Sequence, residues 1–239
     1  MSSTGWSHFW KEPKHSFDEV MKISTTFYAS KMEKLFQLQP TDKVFDYGCG
    51  PGFLVDYLTD LNISVTGADI NKLYVEKNKI NHPDSLFIHL SSDIHENKET
   101  FEKQLVGIEF DFVVLLSVTQ YFEDETELDI VINMLYPFLK KEGKLILADV
   151  VDPNTSAVKD ALSLLIHCIK RNRLFAFIKF ILYLMFSDYR KISKDVNLLT
   201  LSEQSIRQIA NRNMLDYAKI NGLTLHPSRC NYVLTPKNI

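Results

Sequence analysis

Cysteine is scarce in this sequence. Only Cys49, Cys168 and Cys230 are present, and their odd number and wide spacing fit neither a disulfide framework nor a structural zinc site. The scarcity argues against a disulfide-stabilised secreted domain, so we expect a cytoplasmic protein. Residues 1–14 agree with this expectation, because they lack the basic start and apolar core of a secretory signal.

An excess of basic charge is missing as well. Lysine and arginine number 27 against 30 aspartates and glutamates, which gives a formal net charge of -3 at pH 7. Such a chain has no general positive field for a nucleic acid backbone, so we expect no nucleic acid partner. The acidic run 123–127 is interpreted as the solvated start of a helix. We predict no metal site.

Long apolar runs are also absent. The most apolar stretches, residues 161–166 and 174–186, fall short of the roughly 20 residues that cross a bilayer. We interpret them as an apolar helical lid inserted at 151–200, which would shape an acceptor pocket. A buried helical pair and peripheral membrane contact through residues 155–193 stay open as alternatives.

Glycine is infrequent too, yet three of the eight glycines fall at positions 48, 50 and 52. They follow the apolar run 44–47 and precede the helical pattern 53–61, which predicts a strand, a glycine turn and a helix. Glycine lets a ligand approach the backbone, and a helix start presents free N–H groups to it. The carboxylate of Asp46 beside this loop would repel a pyrophosphate and suit a ligand that carries a cation.

The glycine spacing separates two kinds of nucleotide site. A dinucleotide-binding fold requires G-x-G-x-x-G, but Phe53 stands where the third glycine or an alanine would be. The motif Asp46-x-Gly48-x-Gly50-x-Gly52 resembles the first motif of the class I S-adenosylmethionine-dependent methyltransferases. The resemblance implies S-adenosyl-L-methionine as cofactor, with its amino acid end and ribose on the glycines and its amino group near Asp46.

Further cofactor contacts are predicted along the chain. Asp69 ends the second predicted strand, about 20 residues beyond Asp46, at the separation where an acidic residue reaches ribose hydroxyls. The resemblance places Asp93 near the adenine amino group. It also implies that Ile70 and Ile94 supply the apolar faces that sandwich the adenine ring.

Two more sets of residues are predicted near the reacting groups. The resemblance places the segment from Ser117 to Tyr121 beside the transferred methyl group. The aromatic residues Trp6, Phe9 and Tyr28 form either a lid over the cofactor and acceptor or a cover on the edge of the sheet.

Strand and helix patterns alternate five times between residues 41 and 150, which requires parallel strands and crossovers of one hand. We predict an α/β, Rossmann-like, doubly wound, mostly parallel seven-stranded sheet. An antiparallel C-terminal hairpin is predicted at 223–225 and 232–234, after a helix from Glu203 to about Ile220. A helix from Leu128 to Leu139 is predicted to end at the C-cap glycine Gly143.

We expect one methyltransferase domain over residues 1–239. It comprises an N-terminal helical cap (1–40), a cofactor-binding core (41–150), the lid (151–200), and the last helix and strands (201–239). The length of 239 residues suits one substantial domain with appended segments.

The predicted function is methyl transfer from S-adenosylmethionine to a small-molecule acceptor with a hydrophobic or aromatic body. The Asn-Pro-Pro-Tyr type of signature found in many DNA and glutamine methyltransferases is missing after the fourth strand. Asp149 and Asp152 are placed at the acceptor pocket, and no residue is assigned as the catalytic base. An NAD(P)-dependent oxidoreductase and a non-catalytic membrane-binding or partner-binding module stay open as alternatives.

Overall fold

The structure, a computed structural model, describes residues 5–186, 192 and 196–237. Seven strands form one sheet, with helices packed on both of its faces. The strands are β1 (Lys43–Tyr47), β2 (Ser64–Asp69), β3 (Leu86–His89), β4 (Phe110–Leu116), β5 (Leu139–Val150), β6 (Leu215–Ile220) and β7 (Cys230–Pro236). The helices are α1 (Gly5–Trp10), α2 (His15–Phe36), α3 (Phe53–Asp60), α4 (Lys72–Asn81), α5 (Ile94–Gln104), α6 (Glu125–Leu135), α7 (Ala157–Lys170), α8 (Leu174–Phe186) and α9 (Glu203–Arg212).

The strand order is β3-β2-β1-β4-β5-β7-β6, and β1 to β5 run parallel while β7 runs antiparallel to both of its neighbours. The predicted Rossmann-like, mostly parallel seven-stranded sheet with an antiparallel C-terminal hairpin is therefore confirmed. The chain order reverses between β1 and β4. Such a reversal opens a crevice beyond the carboxyl ends of the strands, which is where open α/β sheets bind ligands.

Alternating side chains divide the core into two layers. Val44, Val114 and Ile146 point to the face covered by α2, α3 and α4. Their chain neighbours Phe45 and Val113 point to the other face, which α5, α6 and α9 cover. Since both faces are buried, the central strands are almost wholly apolar.

The predictions for the C-terminal elements are wrong in detail. Helix α9 ends at Arg212, Met214 has a left-handed φ of 57°, and residues 215–220 form β6 instead of continuing the helix. Residues 223–225 do not form a strand, and the partner of β7 is β6. The backbone groups of 215–220 find partners along the neighbouring β7, and this tertiary pairing overrides a sequence pattern that is also compatible with a helix.

The predicted end of the sixth helix is also wrong. Helix α6 ends at Leu135, and a 3₁₀ turn that contains Pro137 leads directly into β5. Proline has no N–H to donate to the preceding turn, which stops the helix there. Gly143 lies inside β5, where an added Cβ would stand 2.8 Å from the Leu139 side chain, so it is a close-packing glycine and not a helix cap.

The predicted lid region contains helices α7 and α8, while residues 187–191 and 193–195 of that prediction lie outside the described residues. Helix α8 packs against α2 and α7. Among the described helices, none has the length and apolar character that a membrane-spanning segment needs.

Candidate functional site

A cavity of about 760 Å³ lies beyond the carboxyl ends of β1, β2, β4 and β5. Its size falls within the range of about 300–1,000 Å³ that is usual for small-molecule sites. The strand ends and the loops that follow them form its floor, and side chains of α1, α2, α7 and α8 form its walls. The topology therefore places one large site at the reversal of strand order.

The three glycines of the loop after β1 have left-handed φ values, 81° at Gly48, 50° at Gly50 and 88° at Gly52. A Cβ on Gly48 would stand 2.5 Å from the Val118 side chain, and one on Gly52 would stand 2.5 Å from Asn78 Oδ1. At Gly50 the nearest heavy atom to an added Cβ is Met21 Cε at 3.7 Å. Two of the glycines thus serve packing, while Gly50 leaves space on the cavity side of the loop.

Asp46, the second-last residue of β1, is a buried carboxyl group that lines the cavity. Burial, and secondarily the negative charge of Asp69, raises the pKa of Asp46 to about 7. Within the described part of the chain, no group donates a hydrogen bond to this carboxyl. A cationic group of a ligand would therefore gain a strong partner here.

Asp69 is held rigidly at the end of β2. Its Oδ2 accepts a hydrogen bond from the Gly50 N–H and its Oδ1 accepts one from the Asn71 N–H, both at 2.7 Å. Burial raises the pKa of Asp69 to about 6, although these two hydrogen bonds act to lower it. A carboxylate has about four acceptor positions, so two remain for hydroxyl groups of a ligand in the cavity.

The carboxylate of Asp149, near the end of β5, has three side-chain hydrogen-bond partners. Its Oδ2 accepts hydrogen bonds from Ser117 Oγ at 2.7 Å and from Arg229 Nη1 at 2.9 Å, and its Oδ1 lies 2.8 Å from His226 Nδ1. Burial alone would raise the pKa of Asp149, but the charge of Arg229, together with the hydrogen bonds from His226 and Ser117, outweighs it and holds that pKa below its usual value. We call this set of four residues the Asp149 cluster.

The Asp149 cluster fixes the hydrogen-bonding state of His226. An ionised carboxylate only accepts hydrogen bonds, so Nδ1 of His226 carries a proton and donates it to Asp149. In the neutral ring Nε2 then carries the lone pair. His226 lines the cavity, and it is therefore positioned as a proton acceptor for a bound molecule.

The backbone at the ends of β4 and β5 is strained. Ser117 and Asp149 have φ values of 56° and 64°, which are uncommon for residues other than glycine. Gln120 donates from Nε2 to the Ser117 carbonyl at 2.8 Å, while its buried Oε1 has no hydrogen-bond partner among the described residues. Gln120 lines the cavity, so a ligand with a hydrogen-bond donor would satisfy this oxygen.

Helix α1 covers the cavity. The Tyr121 ring lies 5.3 Å from the Trp6 ring and 5.2 Å from the Trp10 ring, measured between centroids, and all three residues line the cavity. Asn71 Nδ2 donates to the Trp10 carbonyl at 3.0 Å, while Asn71 Oδ1 caps α4 by accepting from the N–H groups of residues 73 and 74. The Asn71 side chain thus connects α1, which covers the cavity, to the start of α4.

We expect Asn71→Ala to lower the free energy of unfolding by about 1–2 kcal/mol, because α4 loses its N-cap and α1 loses a tether. Thermal melts of purified protein measure the loss. Asn71→Ser is the matched variant, since it keeps the capping oxygen and removes only the donor to Trp10. A melt of Asn71→Ala that matched the parent would contradict the role given to this residue.

The structure brings most of the predicted site residues to the cavity. Those that line it are Asp46, Gly48, Gly50, Asp69, Ile70, Ile94, Ser117 and Tyr121. Three predicted residues do not line it: Gly52 packs on Asn78, Asp93 caps α5 by accepting from the His95 N–H, and Tyr28 is buried between α2 and the sheet. Phe9, on α1, packs in an aromatic cluster with Trp6 and Phe17 and does not line the cavity, whereas Trp6 does line it.

Asn97, His226 and Arg229 are among the cavity residues that were not assigned from the sequence, whereas Gln120 lies within the segment predicted near the methyl group. His226 is one of seven histidines that the sequence alone does not distinguish. The described residues contain no cluster of three or more His, Cys, Asp or Glu side chains suited to a metal ion.

The sequence matches the protein family described as "Methyltransferase domain" over residues 38–213. This range covers most of the chain, including β1 to β5 and the glycine loop. No curated protein matches the sequence.

Solved structures share the fold at low sequence identity. A TehB-like SAM-dependent methyltransferase from Corynebacterium glutamicum is 14% identical with a TM-score of 0.56, and the alignment covers 89% of this chain and 88% of that one. DesVI from Streptomyces venezuelae is 15% identical with a TM-score of 0.57, covering 88% and 92%. Magnesium protoporphyrin IX methyltransferase from Synechocystis PCC 6803, with bound SAH, is 18% identical with a TM-score of 0.54, covering 92% and 86%.

Proposed function

We propose that this chain, which belongs to the class I S-adenosylmethionine-dependent methyltransferase family, methylates a small molecule with a hydrophobic or aromatic body. The family follows from the match over residues 38–213. The observation that carries the proposal is one cavity whose lining combines the glycine loop and buried carboxyl groups, which we call the polar half, with apolar side chains of α2, α7 and α8, which we call the apolar half. Such a cavity can hold a charged cofactor and an apolar acceptor side by side.

The polar half fits S-adenosylmethionine, which supplies a methyl group already activated on a sulfonium. Asp46 offers a buried carboxyl to the cofactor's amino group, and Asp69 offers its two remaining acceptor positions to the ribose hydroxyls. The space at Gly50 lets the cofactor lie against the backbone. The unpartnered Gln120 Oε1 is an acceptor for a further N–H or O–H donor.

The apolar half supports an acceptor with a hydrophobic body. Its walls come from α2, α7, α8 and the chain before β7, through Val20, Leu164, Phe180, Ile181, Leu184 and Leu225. Burial of apolar surface contributes about 25 cal/mol per Å², whereas a charged acceptor body would lose hydration against these walls without compensation. Phe177, also on α8, packs against α2 and α7 and does not line the cavity.

The Asp149 cluster lies where β4 and β5 end, and all four of its residues line the same cavity. We assign His226 Nε2 as the acceptor of a proton from an O–H or N–H group of the bound acceptor. With the cofactor bound, the acceptor would take its methyl group as the bond between sulfur and that methyl breaks, and His226 Nε2 would accept the proton that the acceptor loses. Asp149 would stabilise the resulting imidazolium through its contact with Nδ1.

Two measurements test the proposal. Calorimetric titration should detect binding of S-adenosylmethionine and none of NAD, which would separate a methyltransferase from an NAD(P)-dependent oxidoreductase on a similar fold. A screen with methyl-labelled S-adenosylmethionine and a lipophilic metabolite extract should then transfer label to an apolar product. Binding of NAD in preference to S-adenosylmethionine would overturn the proposal.

We expect cofactor affinity to rise with pH up to about 7. Below that value the free protein holds a proton on Asp46, and a bound ammonium group favours the carboxylate, so binding releases the proton. Affinity should rise about tenfold per pH unit well below pH 7. Calorimetry at pH 6 in two buffers of different ionisation enthalpy measures the released proton directly.

The control for this prediction is Asp46→Asn, which should bind more weakly and release less proton, leaving only the contribution of Asp69. The same linkage acts on stability. Between about pH 4 and pH 7 the folded state holds a proton on Asp46 that the unfolded chain has lost, so the ligand-free protein becomes less stable as pH rises. Buffer-independent binding enthalpies at pH 6 would contradict the placement of the amino group at Asp46.

Cytoplasmic location, a single domain over residues 1–239 and peripheral membrane contact through residues 155–193 stay predictions. An outward apolar surface on α7 and α8 supports the membrane contact.

A further inference from the structure

Helices α7 and α8 expose an unusual amount of apolar surface. Most of the exposed large apolar side chains in the described residues belong to this pair, and Phe175 and Phe186 are 78% and 79% exposed. The exposed set is Val158, Leu162, Ile166, Ile169, Leu174, Phe175, Ile178, Leu182, Met185 and Phe186. We call these ten residues the outer face. A contiguous surface of this kind marks a binding site more often than a solvated one.

The spacing of these residues places them on one side of each helix. Positions 158, 162, 166 and 169 on α7, and 175, 178, 182 and 185 on α8, recur at intervals of three or four, as one stripe of a helix does. The opposite side of α7 is buried through Leu164 and Cys168. Both helices are therefore apolar on two sides, and folding of the described chain covers only one.

The charged side chains that border the outer face are basic. Lys159, Lys170, Arg171, Arg173 and Lys179 are all exposed. The acidic residue in these two helices, Asp160, is buried and bonded to Ser228. Arg173 also lies 3.8 Å from Glu19 of α2, at a position where both side chains are more than half exposed. The surface is therefore an apolar stripe with a positive border.

We propose that the outer face of α7 and α8 docks onto an anionic lipid bilayer. The apolar stripe would enter the headgroup and acyl boundary, while the lysine and arginine side chains extend along it to reach lipid phosphates. The basic residues around the outer face favour an anionic bilayer over a second copy of the chain. A symmetric dimer through the same face would bring two positive borders together, which is unfavourable.

Docking would place the bilayer one helix away from the cavity. The inner side of α8 lines the cavity through Phe180, Ile181 and Leu184, while its outer side carries Phe175 and Leu182. An acceptor dissolved in lipid would then need to pass only α8 or its edges. This consequence rests on the proposed methyl transfer, whereas docking itself does not.

Flotation with lipid vesicles tests the docking. The full chain should float with vesicles of equal parts phosphatidylcholine and phosphatidylglycerol, and much less with phosphatidylcholine alone. Phe175→Ser with Phe186→Ser should lower the partition coefficient at least about tenfold. Lys170→Gln with Lys179→Gln should lower it about thirtyfold on the anionic vesicles.

Matched controls separate the outer face from general surface effects. Val106→Ser removes an apolar side chain that is 75% exposed elsewhere, and Lys98→Gln with Lys103→Gln removes two exposed lysines of α5. Both controls should float like the parent, and thermal melts should show all variants folded. Failure of the parent to float, or equal flotation of all variants, would overturn the proposal.

Analytical sedimentation without lipid tests the alternative that a second copy of the chain binds the outer face. A dimer that Phe175→Ser with Phe186→Ser dissociates would assign the outer face to a second copy and overturn docking. Calorimetry with S-adenosylmethionine on the same samples keeps the outcomes distinct. Failure of the parent protein to float while it binds the cofactor normally would contradict the lipid site alone, and flotation of the parent without cofactor binding would contradict the methyltransferase proposal alone.

Discussion

Gly50→Val should abolish detectable S-adenosylmethionine binding while the sheet stays folded. The two added methyl groups would enter the cavity side of the loop, where the nearest heavy atom to a Cβ is Met21 Cε at 3.7 Å. A clash between these methyl groups and the bound cofactor should weaken binding by about a hundredfold or more, which corresponds to about 2.7 kcal/mol. Calorimetric titration measures the affinity.

The variant also carries a backbone penalty, because valine must adopt the φ of 50° at this position. We expect a loss of about 1–2 kcal/mol in stability from the left-handed conformation. Gly107→Val is the matched control, since Gly107 has a φ of 72° and nothing lies within 4 Å of its added Cβ. Both variants should show a similar fall in the thermal midpoint, and only Gly50→Val should lose the cofactor.

Equal cofactor affinity in the two glycine variants would contradict the placement of the cofactor against this loop. Unfolding of Gly50→Val alone would instead assign Gly50 a packing role like that of Gly52, whose added Cβ would stand 2.5 Å from Asn78 Oδ1. Circular dichroism beside the titration distinguishes these outcomes.

His226→Asn should lower kcat by about 10²–10⁴ with little change in affinity for S-adenosylmethionine. The asparagine amide can still donate to Asp149 from the position of Nδ1, but the variant has no group at Nε2 to accept a proton. Loss of a general base typically costs a factor of this size. Single-turnover rates with the acceptor found by the label-transfer screen measure it.

A matched histidine variant separates a proton acceptor from a general effect of the substitution. His167→Asn is that control, since the His167 ring contacts the Ser163 carbonyl of its own helix and Phe27 and does not line the cavity. It should keep the rate of the parent.

Ring ¹⁵N chemical shifts provide a readout that does not depend on turnover. They should report a proton on Nδ1 of His226 in the parent, and Asp149→Asn should remove the preference for that tautomer. A proton on Nε2 in the parent, or full activity of His226→Asn on an acceptor with an O–H group, would contradict the assignment.

Local patterns in the sequence were sufficient to predict that Asp46, Gly50 and Asp69 meet at one cavity. The strand, glycine turn and helix from Val44 to Leu61 are contiguous, and the acidic residue that ends β2 follows from the same repeating unit. Because parallel strands of one crossover hand bring their carboxyl ends to one edge, Asp46, Gly50 and Asp69 had to meet there. The predicted sheet was confirmed for the same reason.

Asp93 and Tyr28 show where local patterns were insufficient. An aspartate after a strand can face a ligand or cap the next helix with the same sequence around it, and Asp93 caps α5. Tyr28 lies on an aromatic helix that could face either the cavity or the sheet. Its burial against the sheet depends on how the whole of α2 packs.

The sequence by itself determined the order of strands and helices from β1 to β5 and the position of the glycine loop, since each depends on residues close together in the chain. Only the tertiary structure decided that residues 215–220 form an edge strand, because its partner is β7 and not its own neighbours. The same holds for the Asp149 cluster. Asp149 is separated from His226 by 77 positions and from Arg229 by 80, and these groups meet only because β7 returns beside β5.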